Sequence, residues 1–448
     1  MTRSRYKAIR LSLAVGLVLV ISSHVGTVQT SLAMPKPVNQ VLEWNQIFID
    51  TLIATNTANS SSQRLGAIVH TAIFDAYNGI ERRYTPIFVD RQASHGASTR
   101  AAVIGAAHKV LVGLFGSQEQ ALNASYEASL RALSDDCPDH GKSAKGRNSC
   151  LKRIEKGIAW GTQVADEVLA WRANDGFSLS RDPFTGGTTV GQWRPTPPAF
   201  GAMSAQGLAY TEMFSLFNNA QFRPGIPRSL ISTTYTADFD AVKSLGRRTE
   251  STRTADQTLL AVFWEGNASV HWNQAANQMA YDNHLNISDS NRLLALLNIA
   301  MADTAFTTWS AKRLYGSISF EVTWRPVTAI PLADTDGNPN TVPDPDWLPL
   351  INTPSHPEYP AGHPSLNGAA STVLLNHFKG KRQTFTLTTT GQPPRTYESI
   401  AEARTDGNNA RVWGGMHYPS TVETSDAMGE AIANYIDQNS LQRRHGKK

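Results

Sequence analysis

Three short segments in the second half of the chain carry side chains suited to one chemistry: Arg325 in WRPVTAI, His363 in YPAGHPSLNG, and Arg411 with His417 in ARVWGGMHYPST. Taken singly, an Arg-Pro pair, a Gly-His pair and an arginine shortly before a histidine are commonplace. Taken together they converge. Arg325 and Arg411 are permanent cations whose forked donors suit tetrahedral or trigonal oxyanions. His363 and His417 add what charge alone does not supply. One offers a ring nitrogen to bond a central atom, the other a nitrogen to exchange a proton with an apical oxygen. Pro364 sits where a helix begins, so Gly362 can bring a backbone N–H and a helix N-terminus up to the same anion. The set reads as an oxyanion pocket.

The elements that must position these groups are mostly helical. Leu65, Ile68, Val69, Ala72, Ile73, Ala76 and Ile80 recur at helical spacing, with Ser60 and Gln63 as a capping box. Similar stripes predict helices over 117–133, from about 151 to a stop at 174–176, and over 235–245, 255–264 and 291–315. A last helix is predicted from about Glu423 to Gln438. Residues 177–232, rich in proline and glycine, have little periodicity and read as a connector wrapped over the body. Asp334, Asp336 and Asn338 read as a turn cluster, and QTFTLTTTG as one strand of a small hairpin. The expectation is an all-α protein of two associated helical bundles with a minor β hairpin. Residues 34–232 form the first bundle plus connector, 233–440 the second bundle with the site, and 441–448 a basic tail.

At 448 residues, 41% hydrophobic and 17% charged, the chain is neither disordered nor a fibrous repeat. Its 41 basic residues exceed 37 acidic ones, but Arg3, Arg5, Lys7 and Arg10 precede an apolar run, and the remainder balances. Nucleic-acid binding therefore has no electrostatic basis. The basic start, the run LSLAVGLVLVIS and the small residues Ser31 and Ala33 read as a leader over 1–33, cleaved after Ala33, with an uncleaved anchor as the alternative. The mature protein is expected to be exported, periplasmic or extracellular, with no integral membrane segment. Cys137 and Cys150 are then expected to form a disulfide, since their spacing lacks the paired ligands of a zinc site.

In order and spacing the three segments resemble the superfamily of vanadium-dependent haloperoxidases and type 2 phosphatidic acid phosphatases, especially its bacterial haloperoxidase-related branch. Lys312 and Arg325-Pro326 are similar to the first family motif. Pro360-Ala361-Gly362-His363 is similar to the second, and Arg411 with His417 to the third. VLEWNQIFID, AIVHTAIFDAYNGIERRYTP, AAHKVLVGLF and AVFWEGNASVHWN resemble the helical framework of that branch. The resemblance implies a vanadium chloroperoxidase-like fold and vanadate as cofactor, with phosphate able to occupy the same site. His417 would bond vanadium, or act as nucleophile in a phosphatase. His363 would be the apical acid and base. Arg325, Arg411 and the Gly362 N–H would hold equatorial oxygens. Substrates would be hydrogen peroxide and halide, or a phosphate monoester. His356 stands where chloroperoxidases carry an aromatic ring and algal bromoperoxidases a histidine, which implies bromide or iodide.

The pattern departs from the family in three places, and two of them, Ala361 and Thr421, leave a catalytically weakened oxyanion-binding homologue as a further alternative. Lys312 lies thirteen residues before Arg325, so RLYGSISFEVTW must loop out if Lys312 is to reach the site. The family serine is Ala361, which removes one donor. The carboxylate expected four residues after His417 is Thr421, which leaves that imidazole without its usual anionic orienter unless Glu423 or Asp426 folds back. His271 is expected to be a packed polar residue.

Overall fold

The computed structural model describes residues 39–135, 137, 144–379 and 381–444; the expected leader and the end of the basic tail lie outside them. Among the described residues there are thirteen α-helices and one two-stranded sheet. The first part holds α1 (Gln40–Ala54), α2 (Asn59–Glu81), α3 (Thr99–Leu114), α4 (Glu119–Asp135) and α5 (Ala144–Ala173). After the connector come α6 (Thr233–Leu245), α7 (Ala255–Phe263), α8 (Ala268–Asp282) and α9 (Ile287–Tyr315). The short α10 (Pro326–Ala329) and α11 (Gly362–Phe378) follow. Antiparallel β1 (Phe385–Leu387) and β2 (Arg395–Tyr397), then α12 (Ile400–Trp413) and α13 (Pro419–Asn439), complete the body. No single described helix is long and apolar enough to cross a membrane.

Helix α9 is the axis. It is buried around nearly its whole circumference, its polar residues Asn298, Asp303 and Lys312 included, and packs against α2, α11 and α13. One continuous apolar core therefore runs from Val41 in α1 to Leu441. A second cluster, with Tyr235, Trp324, Trp347, Val412 and Tyr418, lies under the segments that carry the site residues. Helices α11 and α13 approach so closely that a Cβ on Gly429 would lie 1.9 Å from the Ser365 carbonyl oxygen. Only glycine allows that contact.

Several boundaries differ from the sequence reading. The Ser60–Gln63 capping box does not form: α2 starts at Asn59 behind Ala58, which provides no side-chain cap, and Gln63 bonds the Asn59 side chain instead. Helix α5 begins at Ala144, seven residues before Leu151, because its first turns are solvated and apolar periodicity cannot register them. Helix α13 begins at Pro419, where the ring fixes a helical φ. Helix α12, polar along most of its length, was not expected as a separate element.

Cys137 and Cys150 are joined by a disulfide, with Cα atoms 5.9 Å apart. It closes a short loop at the start of α5, worth about 3 kcal/mol in the loop-entropy description. Reduction is expected to lower the melting temperature by several degrees, with Cys137→Ser/Cys150→Ser reproducing the shift. An identical melting curve with and without reductant would show that the bridge contributes nothing.

Candidate active site

Four chain segments meet at one place. The last turn of α9 carries Lys312, after which residues 316–324 loop out and return to place Arg325 at the N-cap of α10. The connector fixes this return: the Gly191 carbonyl accepts from Thr323 N (3.1 Å), Trp324 N (2.9 Å) and Thr323 Oγ1 (2.8 Å). Gly191 has φ of +82°, and a Cβ there would sit 2.5 Å from the Glu321 carbonyl oxygen. Thr323 in turn accepts from Glu358 N at 3.0 Å, so the loop before α11 is tied to the same strut. Ala361 caps α11 without a side-chain bond, leaving Gly362 and His363 in its first turn. Arg411 comes from the last turn of α12, and the Gly414-Gly415 turn delivers His417 just ahead of α13.

Arg325 is fully buried. Its Nε donates to the His356 carbonyl (2.9 Å), Nη1 to the Met416 carbonyl (2.8 Å) and to His417 Nε2 (2.9 Å), and Nη2 to His356 Nδ1 (2.8 Å). Burial pulls its pKa down to about 10 against the pull of Glu358. Arg411 donates through Nη1 to the Trp264 carbonyl (2.7 Å) and through Nη2 to Met416 Sδ (3.2 Å), while its buried Nε has no hydrogen-bond partner. Burial lowers this guanidinium to about 9, Glu265 opposing and Arg325 reinforcing. Lys312 does reach the site: its buried Nζ donates to the carbonyls of Pro357 (2.5 Å) and Glu358 (3.1 Å). Burial, and then Arg325, hold the ammonium well below its usual range.

The anion facing Arg325 and Lys312 is Glu358, which the sequence reading did not single out. Its Oε1 accepts from His417 Nδ1 (3.0 Å) and Tyr418 N (3.2 Å), and its Oε2 from Thr421 Oγ1 (3.0 Å). Burial pushes its pKa up to about 7, against Arg325 and Lys312. The expectation that His417 lacks an anionic orienter is thus corrected. The carboxylate comes from ahead of α11, and Thr421 donates to it rather than leaving a gap. Glu423 is exposed and Asp426 pairs with Arg404, so neither fills that role.

The hydrogen bonds also assign the histidine protons. An arginine only donates, so His417 Nε2 is unprotonated, and its proton is on Nδ1 toward Glu358. Burial and then Arg325 keep the ring neutral by pushing its pKa well below normal. His356 Nδ1 lies 2.8 Å from Arg325 Nη2, which only donates, and 3.3 Å from the Pro357 carbonyl, which only accepts; the shorter contact makes Nδ1 the acceptor and puts the proton on Nε2, and the ring lies 5.3 Å from that of Trp309. His363 Nε2 lies 3.2 Å from the Gly266 carbonyl and 3.5 Å from Asn59 Nδ2. Burial, with Arg411 next, lowers its pKa well below normal. The backbone N–H of Ala361 goes to Ser425 Oγ (2.7 Å), and the missing hydroxyl at that position has no counterpart in this bond. His271 is packed against Phe263 and bonded to Thr389 Oγ1 at 2.6 Å.

Arg325, Arg411 and Lys312 are buried basic groups with Glu358 as the buried carboxylate among them and the exposed Glu265 acting on Arg411, which leaves an excess of basic groups in the interior. Such an arrangement is costly unless a multivalent anion binds. The unpartnered Arg411 Nε, the N-terminus of α11 with no side-chain cap and the unprotonated His417 Nε2, whose lone pair here accepts from Arg325, fit vanadate, as a charged oxyanion whose central atom takes a nitrogen ligand.

Residues 292–446 match the family described as the VCPO second helical-bundle domain. A vanadium chloroperoxidase from Curvularia inaequalis is 31% identical over 110 residues, which is 22% of this chain and only 16% of that protein. A crystal structure of a bacterial vanadium-dependent iodoperoxidase superposes with a TM-score of 0.72 at 21% identity, covering 93% of this chain and 100% of that one. A holo-type bacterial vanadium-dependent chloroperoxidase gives 0.64 at 18% identity, covering 85% and 91%. Residues 292–446 thus match a VCPO-type second helical-bundle domain, within a chain that has the fold of the bacterial vanadium-dependent haloperoxidases.

Proposed function

We propose that this protein is an exported vanadium-dependent haloperoxidase that oxidises bromide or iodide with hydrogen peroxide. The observation that carries the reading is the buried excess of cations around an unprotonated His417 Nε2. His417 would hold vanadate through Nε2, while Arg325, Arg411 and the Gly362 N–H would hold its oxygens. When bound, vanadate supplies an electrophilic centre that activates peroxide toward a halide.

The chain's own residues do the rest. Glu358 keeps the His417 proton on Nδ1 and so keeps Nε2 unprotonated. Lys312, tied to the carbonyls of Pro357 and Glu358, adds positive charge without occupying a donor position in the pocket. His363 would take a proton through its imidazole and return it. His356, neutral and carrying a proton on Nε2 beside Trp309, offers a larger halide one N–H donor and an aromatic wall. The disulfide supports an oxidising compartment, and residues 1–33 the route to it.

The test is a titration of the purified protein with orthovanadate, followed by side-by-side assays of chloride, bromide and iodide oxidation and of phosphate-monoester hydrolysis. Saturable vanadate-dependent oxidation of bromide or iodide is expected. Hydrolysis through a phosphohistidine at His417, with no halide oxidation after vanadate loading, would overturn the proposal in favour of an acid phosphatase.

A further inference from the structure

We propose that Asn59 is a positioning residue for His363. With the Gly266 carbonyl it forms a two-sided seat for Nε2, which keeps the imidazole in place whichever ring nitrogen carries the proton. The proposal rests on the reading of His363 as the acid–base group.

Asn59 stands at the start of α2, in a part of the chain that contributes nothing to the three motifs. Its amide cannot be turned round. Oδ1 accepts from Ala268 N at 2.9 Å, a backbone N–H that only donates, and from Gln63 Nε2 at 3.0 Å. The amino group must therefore face the other way, where Nδ2 lies 3.5 Å from His363 Nε2. The Gly266 carbonyl, which only accepts, lies 3.2 Å from the same nitrogen. A fixed donor and a fixed acceptor thus converge on one ring atom.

Each neutral tautomer of His363 then has a partner. With the proton on Nε2, the ring donates to the Gly266 carbonyl and Nδ1 carries the lone pair that can take a proton. With the proton on Nδ1, Nε2 accepts from Asn59. A ring that gains a proton at Nδ1 and later loses the one at Nε2, or the reverse, need not rotate to recover a hydrogen bond. The seat itself is rigid. A Cβ on Gly266 would lie 2.9 Å from His271 Cε1, so that turn packs directly on a buried side chain. Asn59 is also a good capping residue that does not cap: Ala58 occupies the N-cap of α2, and the asparagine is committed to Ala268, Gln63 and His363. A local preference is given up at the place where the tertiary structure needs the group.

Asn59→Asp separates positioning from architecture. The carboxylate can still accept from Ala268 N and Gln63 Nε2, but it puts an acceptor where the donor was. With histidine-selective 15N labelling, and the His363 signals identified by their loss in His363→Ala, the ring nitrogens are read at pH 8 without vanadate. The wild type is expected to show both tautomers in exchange, and Asn59→Asp and Asn59→Leu only the form protonated at Nε2. In the vanadate-loaded enzyme both variants should lose about tenfold in kcat with KM for peroxide little changed, part of the ~10²–10⁴ that a positioned acid–base group contributes. Wild-type nitrogen shifts in Asn59→Asp would overturn the seat, and so would locked tautomers with undiminished kcat. Full turnover by His363→Ala would overturn the acid–base reading and the positioning role with it, a failure distinct from an unchanged nitrogen spectrum in a protein that needs His363.

Discussion

Arg411→Met is expected to weaken orthovanadate and phosphate binding at least about a hundredfold, or about 2.8 kcal/mol, while leaving the ligand-free fold as stable as the wild type. The two halves of this expectation come from one fact. Arg411 is buried and gives only two of its three donor nitrogens to the protein, through Trp264 and Met416; the third, Nε, has no partner. A charged donor held in that way contributes little to the empty fold. Its pKa is lowered by burial and by Arg325, both of which oppose its charge. Once an oxyanion binds, the same donor makes a desolvated, charge-assisted bond, the strong class of hydrogen bond. Methionine keeps the volume and removes the charge. Calorimetric titration reads the affinity, and melting curves with and without vanadate read the coupling. The wild type should gain stability on adding the ligand, and the variant should not. Unchanged affinity in a folded Arg411→Met protein would sink the oxyanion pocket itself.

Glu358→Gln is expected to damage both stability and turnover. The glutamine keeps the shape and can still accept from His417, but Arg325 and Lys312 are left without a counter-charge. Breaking a buried pair in this way typically costs about 3–5 kcal/mol. The imidazole also loses the carboxylate that holds its proton on Nδ1, and misplacing the proton of such a group typically lowers kcat by about 10²–10⁴. The neighbouring change sharpens the test. Asp at position 421 restores the family pattern on paper, yet Thr421 Oγ1 already donates to Glu358 Oε2 at 3.0 Å. Thr421→Asp would set a second carboxylate against the first, so it is expected to lower vanadate affinity and activity, whereas Thr421→Val removes one hydrogen bond and should act more mildly. A gain of function in Thr421→Asp would show that Glu358 is not the group that orients His417.

The cations and histidines of the site were legible in the sequence because their types and order already specify an anion chemistry. So was the central helix α9, whose helical pattern over 291–315 is too long for a strand. Glu358 and Asn59 were not legible, since nothing in a local pattern shows that a carboxylate 59 residues ahead of His417, or an amide 304 residues ahead of His363, closes on a ring nitrogen. Such partners are set by how helices pack, and single-sequence periodicity reports only which face a helix buries. The same limit explains α12. Its polar surface gives a weak stripe, although Ala403, Gly407 and Ala410 pack inward.

The Gly191 strut bears on how a protein of this fold drifts over generations. Arg325 owes its position to a carbonyl in a Pro- and Gly-rich stretch that carries no reactive group and lies more than a hundred residues upstream. Any side chain at Gly191 would collide with Glu321 and shift Arg325, with every residue of the pocket still intact. The mutational target for losing the activity is therefore larger than the pocket. A lineage can fall silent through its connector while its three motifs still read as complete.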